Sequence, residues 1–232
     1  MGVFDLHLHS KYSADGFSSP KKIVLKARKV GLSGFAITDH NSAASFEEFK
    51  KIKKELNTKN SKSSQNPDFL IIFGEEVKII ENKSCQGEIL CYFLSEKISP
   101  GPLEEILDSA KKQDALTSIA HPFDVWRNPF AKDLEKEFKK FDAIEAFNGR
   151  SYKKKYNERS ADFAKQKKFP FTAGSDSHLL SEIRKTGFEC EAACEEELRK
   201  AILKKKGTVV PSKTAFPPWQ WVVSVAGRVW PK

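Results

Sequence analysis

The five histidines of this 232-residue chain are the residues that most clearly indicate a chemical function. Each lies at or just after a short apolar run, and most have an acidic residue or a proline within two positions. A divalent metal site needs imidazole nitrogens and carboxylates that converge from distant parts of the chain, and strand ends that meet at one face supply that convergence. The placement therefore predicts a metal site, with donors among His7, His9, His40, His121 and His178.

The spacing of the donors strengthens this prediction. His7 and His9 are two residues apart, and because side chains alternate along a strand, both can face the same ion. A His-x-His or an Asp-x-His alone is common by chance, but here acidic or imidazole groups end most of the apolar runs. These endings are Thr38-Asp39-His40, Gly74-Glu75-Glu76, His121-Pro122 and Ser175-Asp176-Ser177-His178.

Seven short apolar runs, rich in β-branched and aromatic residues, must position these donors. Near-continuous apolar runs are typical of buried parallel strands, and helical patterns between them favour a parallel α/β architecture. The predicted strands cover 3–6, 34–38, 69–73, 89–93, 116–120, 143–147 and 169–173. The predicted helices cover 19–30, 45–56, 103–112, 134–140, 151–168 and 195–205.

The domain organisation follows from the same pattern, since no linker divides the chain. We expect one barrel domain over 1–232, with a core at about 3–210 and a C-terminal tail at 211–232 that holds three of the four tryptophans and packs across the barrel. A partner-binding or membrane-surface segment is the alternative for this tail. Segment 57–67 is rich in Ser, Asn and Lys and predicts a flexible loop. In such a barrel, the C-terminal ends of the strands form the active face.

Composition limits the class of protein. A hydrophobic content of 39%, no apolar stretch long enough to span a membrane and no signal peptide predict a cytoplasmic protein. The net charge of +9 would attract phosphate groups on small molecules or nucleic acid, although no segment interleaves arginines with aromatics as a nucleic-acid platform would. The four cysteines form no Cys-x-x-Cys pair, which argues against a zinc ribbon.

The motifs resemble those of the PHP (polymerase and histidinol phosphatase) family. That resemblance implies a distorted (β/α)7 TIM-like barrel that binds two or three divalent metal ions, such as Zn, Mn or Fe, and hydrolyses phosphate esters. The matching positions run from about Phe4 to His178 and comprise His7-x-His9, Asp15, Thr38-Asp39-His40, Gly74-x-Glu76, His121-Pro122 and Asp176-x-His178.

The resemblance also implies which side chains bind each ion, and it favours Glu76 over Glu75 because the family pattern is Gly-x-Glu. Three sets follow: a first of His7, His9, Glu76 and Asp176, a second in which Glu76 bridges to His121, and a third of Asp15, His40 and His178.

One position departs from the family pattern. Many members carry a histidine at the start of the fourth strand, where this chain has Glu88. A carboxylate can still bind a cation there, with weaker binding or a preference for a harder ion such as manganese. A surface residue at a strand start is the alternative.

Other side chains have expected roles in the reaction, in which two close cations hold the phosphate and activate a water. Asp39 is expected to support the site through His40 or Asn41, or to cap a helix, rather than to bind metal. Arg127, Arg150 and Arg184 follow the last three predicted strands and are candidates for phosphate binding.

Several functions remain open from the sequence. The leading one is a metal-dependent phosphoesterase acting on a small phosphorylated metabolite or nucleotide. The alternatives are a nuclease acting on nucleic-acid ends and a non-catalytic PHP module that binds a partner. Amidohydrolases also begin with His-x-His but use a lysine at a middle strand end, which the fourth and fifth runs here lack. Neither the substrate nor the oligomeric state follows from the sequence.

Overall fold

A computed structural model describes residues 1–60, 69–130 and 133–212. In these residues the strands form one nine-stranded sheet in the order β7-β6-β5-β4-β3-β2-β1-β8-β9. The strands are β1 (Gly2–Leu8), β2 (Gly34–His40), β3 (Leu70–Glu81), β4 (Ser84–Tyr92), β5 (Leu116–Ile119), β6 (Ala143–Asn148), β7 (Phe171–Gly174), β8 (Gly187–Cys190) and β9 (Thr208–Val210). The predicted apolar runs correspond to β1–β7, whereas β8 and β9 were not predicted.

Helices cover the outside of the sheet and are α1 (Pro20–Lys29), α2 (Phe46–Asn60), α3 (Leu103–Lys112), α4 (Leu134–Glu137), α5 (Lys154–Gln166) and α6 (Glu195–Leu203). The segment predicted as one helix at 134–140 divides into α4 and a 3-10 turn at Phe138–Lys140. The start of the predicted loop at 57–67 is wrong because α2 runs to Asn60, and the rest lies outside the described residues, as does almost all of the predicted tail. No described helix has the length and apolar character to cross a membrane.

The predicted parallel arrangement holds for β1–β3 and for β5–β7 but is wrong at β4, and the unpredicted β8 and β9 are also antiparallel. β4 pairs antiparallel with both β3 and β5, and β8 pairs antiparallel with β1 and β9. β3 returns directly into β4 through Asn82 and Lys83, whose φ angles of 50° and 61° are those of a tight hairpin turn. A two-residue connection leaves no room for a crossover helix, so the fourth strand has to run in the opposite direction.

The barrel nearly closes where the end of β7 meets β1. The Asp176 amide donates to the His7 carbonyl at 2.7 Å, and the His9 amide donates to the Ser177 carbonyl at 2.9 Å. This approach requires a glycine at 174, because a Cβ there would lie 2.4 Å from the His7 nitrogen and Cβ. The closure places the histidines of β1 beside the donors that follow β7.

Alternation along each strand divides the apolar core into two parts. On β3, Leu70 and Ile72 belong to a cluster with Phe4 and Leu6 inside the barrel, while Ile71 packs in a second cluster under the helices. The polar site lies at one end of the interior cluster. Its side chains continue the inward-facing rows of the strands.

Candidate metal centre

β1 brings His7 and His9 to the barrel interior. Phe4 and Leu6 also face inward, and the register shift between Asp5 and Leu8 in the pairing with β2 changes which residues face the interior at the end of the strand. The two imidazoles are buried, and their Nε2 atoms lie 3.1 Å apart. Both rings therefore present a nitrogen to the same small volume.

Glu76 lies at the middle of the histidine cluster. Because Leu70, Ile72 and Gly74 precede it on the inward row of β3, its side chain points into the barrel, whereas Glu75 points outward and accepts the Ile98 amide at 2.9 Å. This geometry distinguishes the two neighbouring carboxylates. Glu76 Oε2 lies 3.2 Å from His7 Nε2, 3.3 Å from His9 Nε2 and 3.0 Å from His40 Nδ1, and its Oε1 lies 2.9 Å from His121 Nε2.

Glu88 is buried rather than being a surface residue at a strand start. It lies inside β4, which begins four residues earlier at Ser84, and its Oε2 is 3.5 Å from His121 Nε2. The antiparallel direction of β4 carries this side chain to the site. Donor atoms of Glu88, Glu76 and His40 lie within 4.8 Å of one another.

Asp15, His40 and His178 form a third group of donors. Asp15 Oδ1 lies 3.2 Å from His178 Nε2 and 3.6 Å from His40 Nε2. Donor nitrogens of His9, His40 and His178 also lie within 4.8 Å of one another, so this group adjoins the histidines of β1. Asp15 comes from the loop between β1 and α1, as a site at the C-terminal ends of the strands requires.

Asp176 connects the site to Arg127, one of the three arginines that are candidates for phosphate binding. Its Oδ1 lies 3.3 Å from His9 Nε2, while its Oδ2 accepts a 2.9 Å hydrogen bond from Asn148 Nδ2 and forms an ion pair with Arg127. Asn148 and Arg127 thus fix one carboxylate oxygen, and the other oxygen faces the histidines. The φ of Asp176 is 57°, a left-handed conformation that non-glycine residues adopt at a cost of about 1–3 kcal/mol.

The site satisfies a direct test for metal ligands. Buried polar atoms in proteins almost always have hydrogen-bond partners, so orphaned ones call for an explanation. In the described part of the chain, several orphaned atoms point into this cluster. They are Asp176 Oδ1, both ring nitrogens of His40, and His178 Nε2, which lie close to other donors of the cluster but form no well-oriented hydrogen bond with them. Nitrogen and carboxylate oxygen donors are those that Zn, Mn and Fe accept.

The charges in the cluster shift the pKa values of its members strongly. Burial raises the pKa of Glu76, but neighbouring His7 and His40 outweigh burial and bring it well below its usual value. Burial lowers the pKa of His178 to about 3, aided by the proximity of His9. The ionised carboxylate of Glu76 and the neutral imidazole of His178 are forms that bind cations. Burial lowers the pKa of His7 and His40, but the neighbouring carboxylates outweigh burial and raise it, so these two imidazoles would release a proton when a cation binds.

Supporting side chains were missed by the sequence analysis. Glu145 Oε1 lies 2.8 Å from His7 Nδ1, and its Oε2 accepts the His121 amide at 2.7 Å and a 3.2 Å hydrogen bond from Asn148. Asp5 accepts the Ser175 amide at 2.7 Å. The available signal was a single acidic residue inside an otherwise apolar strand, which is costly unless it is hydrogen-bonded.

The remaining predicted side chains lie around this cluster. Asp39 accepts the Ser10 amide at 2.6 Å and the Ser10 hydroxyl at 2.8 Å, so it holds the chain just after His9. Arg150 is buried, with Nε 3.7 Å from Glu182 Oε1. Arg184 is half-buried in the loop between β7 and β8, and its carbonyl accepts the Thr186 amide.

Comparison with known proteins assigns the family. The sequence model of the family described as PHP domain matches residues 5–204, and this range includes all the donors described above. The chain belongs to the PHP domain family. It is 32% identical over 157 residues to the uncharacterized protein MJ1587 of Methanocaldococcus jannaschii, a match covering 62% of this chain and 80% of that protein.

Solved structures agree with this fold. A two-domain protein from Bacteroides vulgatus containing a predicted PHP-like metal-dependent phosphoesterase superposes with a TM-score of 0.72 and 19% identity, covering 97% of this chain and 69% of that one. The lesion-specific endonuclease PfuEndoQ from Pyrococcus furiosus superposes with a TM-score of 0.60 and 21% identity, covering 90% and 57% of the two chains. The TIM-like barrel expected from the sequence is therefore confirmed.

Proposed function

We propose that this PHP protein is a metal-dependent phosphoesterase that hydrolyses a phosphate ester on a small phosphorylated metabolite or nucleotide. The observation that carries the proposal is the convergence of all five histidines on Glu76 and the neighbouring carboxylates, where several buried donor atoms form ion-pair contacts but no well-oriented hydrogen bond within the described residues. A structural cluster of this kind without an ion would leave several buried polar groups at a cost of about 1–3 kcal/mol each.

The three donor groups supply candidate ligands for two or three ions. We assign His7, His9, Glu76 and Asp176 to a first ion, as the resemblance to the family implies, and the contacts of the two histidines with the two carboxylates lie between 3.2 and 3.7 Å. Glu76 would also serve a second ion, because its Oε1 lies 2.9 Å from His121 Nε2. The second ion would be held by Glu76, Glu88 and His121, and the third by Asp15, His40 and His178.

When bound, divalent cations neutralise the phosphate oxygens and lower the pKa of a water enough to supply hydroxide near neutral pH. The protein itself fixes the geometry. Arg127 and Asn148 hold Asp176 through Oδ2, and Glu145 holds the ring of His7 through Nδ1. Asp39 is a positioning residue that acts through Ser10.

The arginines are proposed to bind the substrate. Arg127 lies against Asp176 and Arg150 lies buried nearby, so both place positive charge at the edge of the donor cluster. Guanidinium groups bind phosphate oxygens with two parallel hydrogen bonds. Arg184 remains a candidate from its position in the loop after β7.

The experiment that tests this proposal compares metal content and hydrolysis. Wild-type protein purified without chelator should hold two or three ions per chain, of Zn, Mn or Fe, and should hydrolyse an aryl phosphate. His9→Ala and Asp176→Ala should lose at least about a thousandfold in kcat/KM with nearly unchanged circular dichroism. Undiminished turnover in either variant, or a metal content near zero with each metal supplied, would refute the assignment.

A second candidate is a nuclease acting on nucleic-acid ends, which the net charge of +9 favours. PfuEndoQ, which shares this fold, is a lesion-specific endonuclease. Binding that depends on phosphate contacts weakens steeply with salt. A steep salt dependence of oligonucleotide affinity, together with cleavage, would favour this candidate over a small-molecule substrate.

A further inference from the structure

Three exposed aromatic side chains lie in loops at the end of the barrel that holds the candidate metal centre. They are Phe17, Trp126 and Tyr152, with exposed fractions of 43%, 60% and 67%. They follow β1, β5 and β6, and thus lie at the barrel end where the donors lie. Single exposed apolar residues are ordinary. Here, however, every large aromatic residue that is exposed in the described part of the chain lies in a loop at this end of the barrel.

Each ring is attached close to a side chain of the site. The Phe17 amide donates to the His178 carbonyl at 3.1 Å. Trp126 directly precedes Arg127, which is ion-paired with Asp176. Tyr152 comes two residues after the buried Arg150. Since consecutive Cα atoms are about 3.8 Å apart, each ring begins within about 8 Å of a backbone position that carries or contacts a site residue.

Hydrogen bonds fix the loops that carry two of these rings. The Trp126 amide donates to Asp124 Oδ1 at 3.2 Å, and the Arg127 amide donates to the Asp124 carbonyl at 3.0 Å. On the next loop, the Ser151 amide donates to the Asn148 carbonyl at 3.2 Å, one residue before Tyr152. The two rings are therefore attached to ordered turns. Both side chains are exposed, so a ligand can reach them.

Exposed ring faces beside arginines have a characteristic ligand. Flat heteroaromatic bases stack on aromatic side chains, at about 1–3 kcal/mol per base, and guanidinium groups bind the adjacent phosphate. No segment of the sequence interleaves arginines with aromatics, but the loops after the adjacent strands β5 and β6 carry the exposed Trp126 and Tyr152 close in sequence to Arg127 and the buried Arg150. The net charge of +9 complements an anionic ligand of this class.

We infer that the substrate carries a nucleobase next to the scissile phosphate, and that the base stacks on Trp126 and Tyr152, with Phe17 completing the rim. This inference rests on the proposed phosphoesterase function and narrows it to nucleotides. The nucleobase can belong to a mononucleotide or to the end of a single strand. The phosphate enters the donor cluster, and the base stays at the rim.

The test compares two phosphomonoesters that differ in the presence of a base. Trp126→Ala and Tyr152→Ala should lose at least about tenfold in kcat/KM for adenosine monophosphate and stay within about twofold of wild type for glycerol 2-phosphate. Trp126→Phe, which keeps a ring face, should restore most of the loss. Equal losses on both substrates, or no loss on either, would overturn the inference.

Direct binding separates this inference from the proposed function. Equilibrium binding of adenosine monophosphate to wild type should be at least about tenfold tighter than to Trp126→Ala, whether or not the protein hydrolyses it. If wild type hydrolyses neither phosphomonoester yet shows this binding difference, the phosphoesterase proposal fails and the base site stands. If hydrolysis occurs and the binding difference is absent, the base site fails alone.

A 5′-phosphorylated tetranucleotide distinguishes whether the base belongs to a mononucleotide or to the end of a single strand. A greater loss for the tetranucleotide than for adenosine monophosphate in Tyr152→Ala would support the inference and identify the end of a strand. Equal losses of about tenfold would support it and identify a mononucleotide. Wild-type turnover of both substrates by all the alanine variants would contradict it.

Discussion

Glu88 Oε2 lies 3.5 Å from His121 Nε2, inside the donor cluster and on an antiparallel strand. Under the proposed assignment, Glu88→Gln removes an anionic oxygen ligand. We therefore expect the affinity of one ion per chain to fall by at least about tenfold while the other ions are retained. Measurement of bound metal after dialysis against buffers of graded free metal concentration checks this.

A Glu88→His variant provides a second, sharper comparison. Imidazole is a softer ligand than carboxylate, so this variant should shift the preference of the affected site from manganese toward zinc. Competition between the two metals at equal free concentration is the measurement. The same manganese-to-zinc ratio in wild type and both variants would show that Glu88 binds no metal.

Glu145 is expected to control the site without binding metal. Glu145→Gln keeps the shape of the side chain but weakens the contact with His7 Nδ1, now 2.8 Å from a carboxylate oxygen. Partners of this kind fix the orientation of the ligating imidazole, and their loss costs about 10–100-fold in metal affinity. Isothermal titration of metal into the metal-free protein measures the change.

Glu158→Gln is the matched control for this variant. Glu158 lies on the exposed side of α5, where its carboxylate forms an ion pair with Lys154 at 2.9 Å. The control should bind metal like wild type. Equal affinities for Glu145→Gln and Glu158→Gln would mean that the His7 contact does not support the site.

The buried carboxyl group of Glu75 should make the free energy of unfolding depend on pH. Burial raises the pKa of Glu75 to about 7 from 4.5, so the folded protein retains a proton that the unfolded chain has released. The free energy of unfolding should therefore fall as the pH rises from about 4.5 to about 7. Glu75→Gln can still accept the Ile98 amide hydrogen bond and does not ionise, so it should remove this contribution, on the order of 1–3 kcal/mol.

Denaturant unfolding of metal-free protein at pH 5 and pH 8 measures this effect. Glu75→Gln should gain stability relative to wild type at pH 8 and show a smaller gain at pH 5. The exposed Glu158→Gln variant controls for the removal of a negative charge. A gain that is the same at both pH values would be inconsistent with an ionising Glu75.

Gly174 should be essential for closing the barrel. In Gly174→Ala the new Cβ would lie 2.4 Å from the His7 nitrogen, and backbone atoms of two strands would have to separate. We expect a loss of about 1–3 kcal/mol in the free energy of unfolding, together with weaker metal binding, because the clash is at His7.

Gly101→Ala is the control for this substitution. Its new Cβ would meet nothing closer than Glu105 Oε2 at 3.6 Å, which is ordinary contact. Its stability should stay within about 0.5 kcal/mol of wild type in urea unfolding. A Gly174→Ala variant as stable as Gly101→Ala would mean that β1 and the end of β7 can separate freely.

Much of the fold could be predicted from local patterns. Apolar runs and helical periodicity predicted β1–β7 and the positions of the helices, because both depend on residues close in sequence. They did not predict the direction of β4, which depends on the two-residue turn at Asn82 and Lys83. The short strands β8 and β9 were missed because four and three residues carry little periodic signal.

The sequence by itself determined which donors this protein offers, since histidines and carboxylates at strand ends must meet wherever the strands form one barrel. Only the tertiary structure decided how they are arranged: Glu88 enters from an antiparallel strand, and Asn148 donates a hydrogen bond to the Asp176 oxygen that faces away from the histidines. The physical reason is that donor identity and strand patterning are local properties of the sequence. The distance between two side chains far apart in the chain is set instead by the closure of the barrel, as for His7 and Glu145, which are 138 residues apart in sequence.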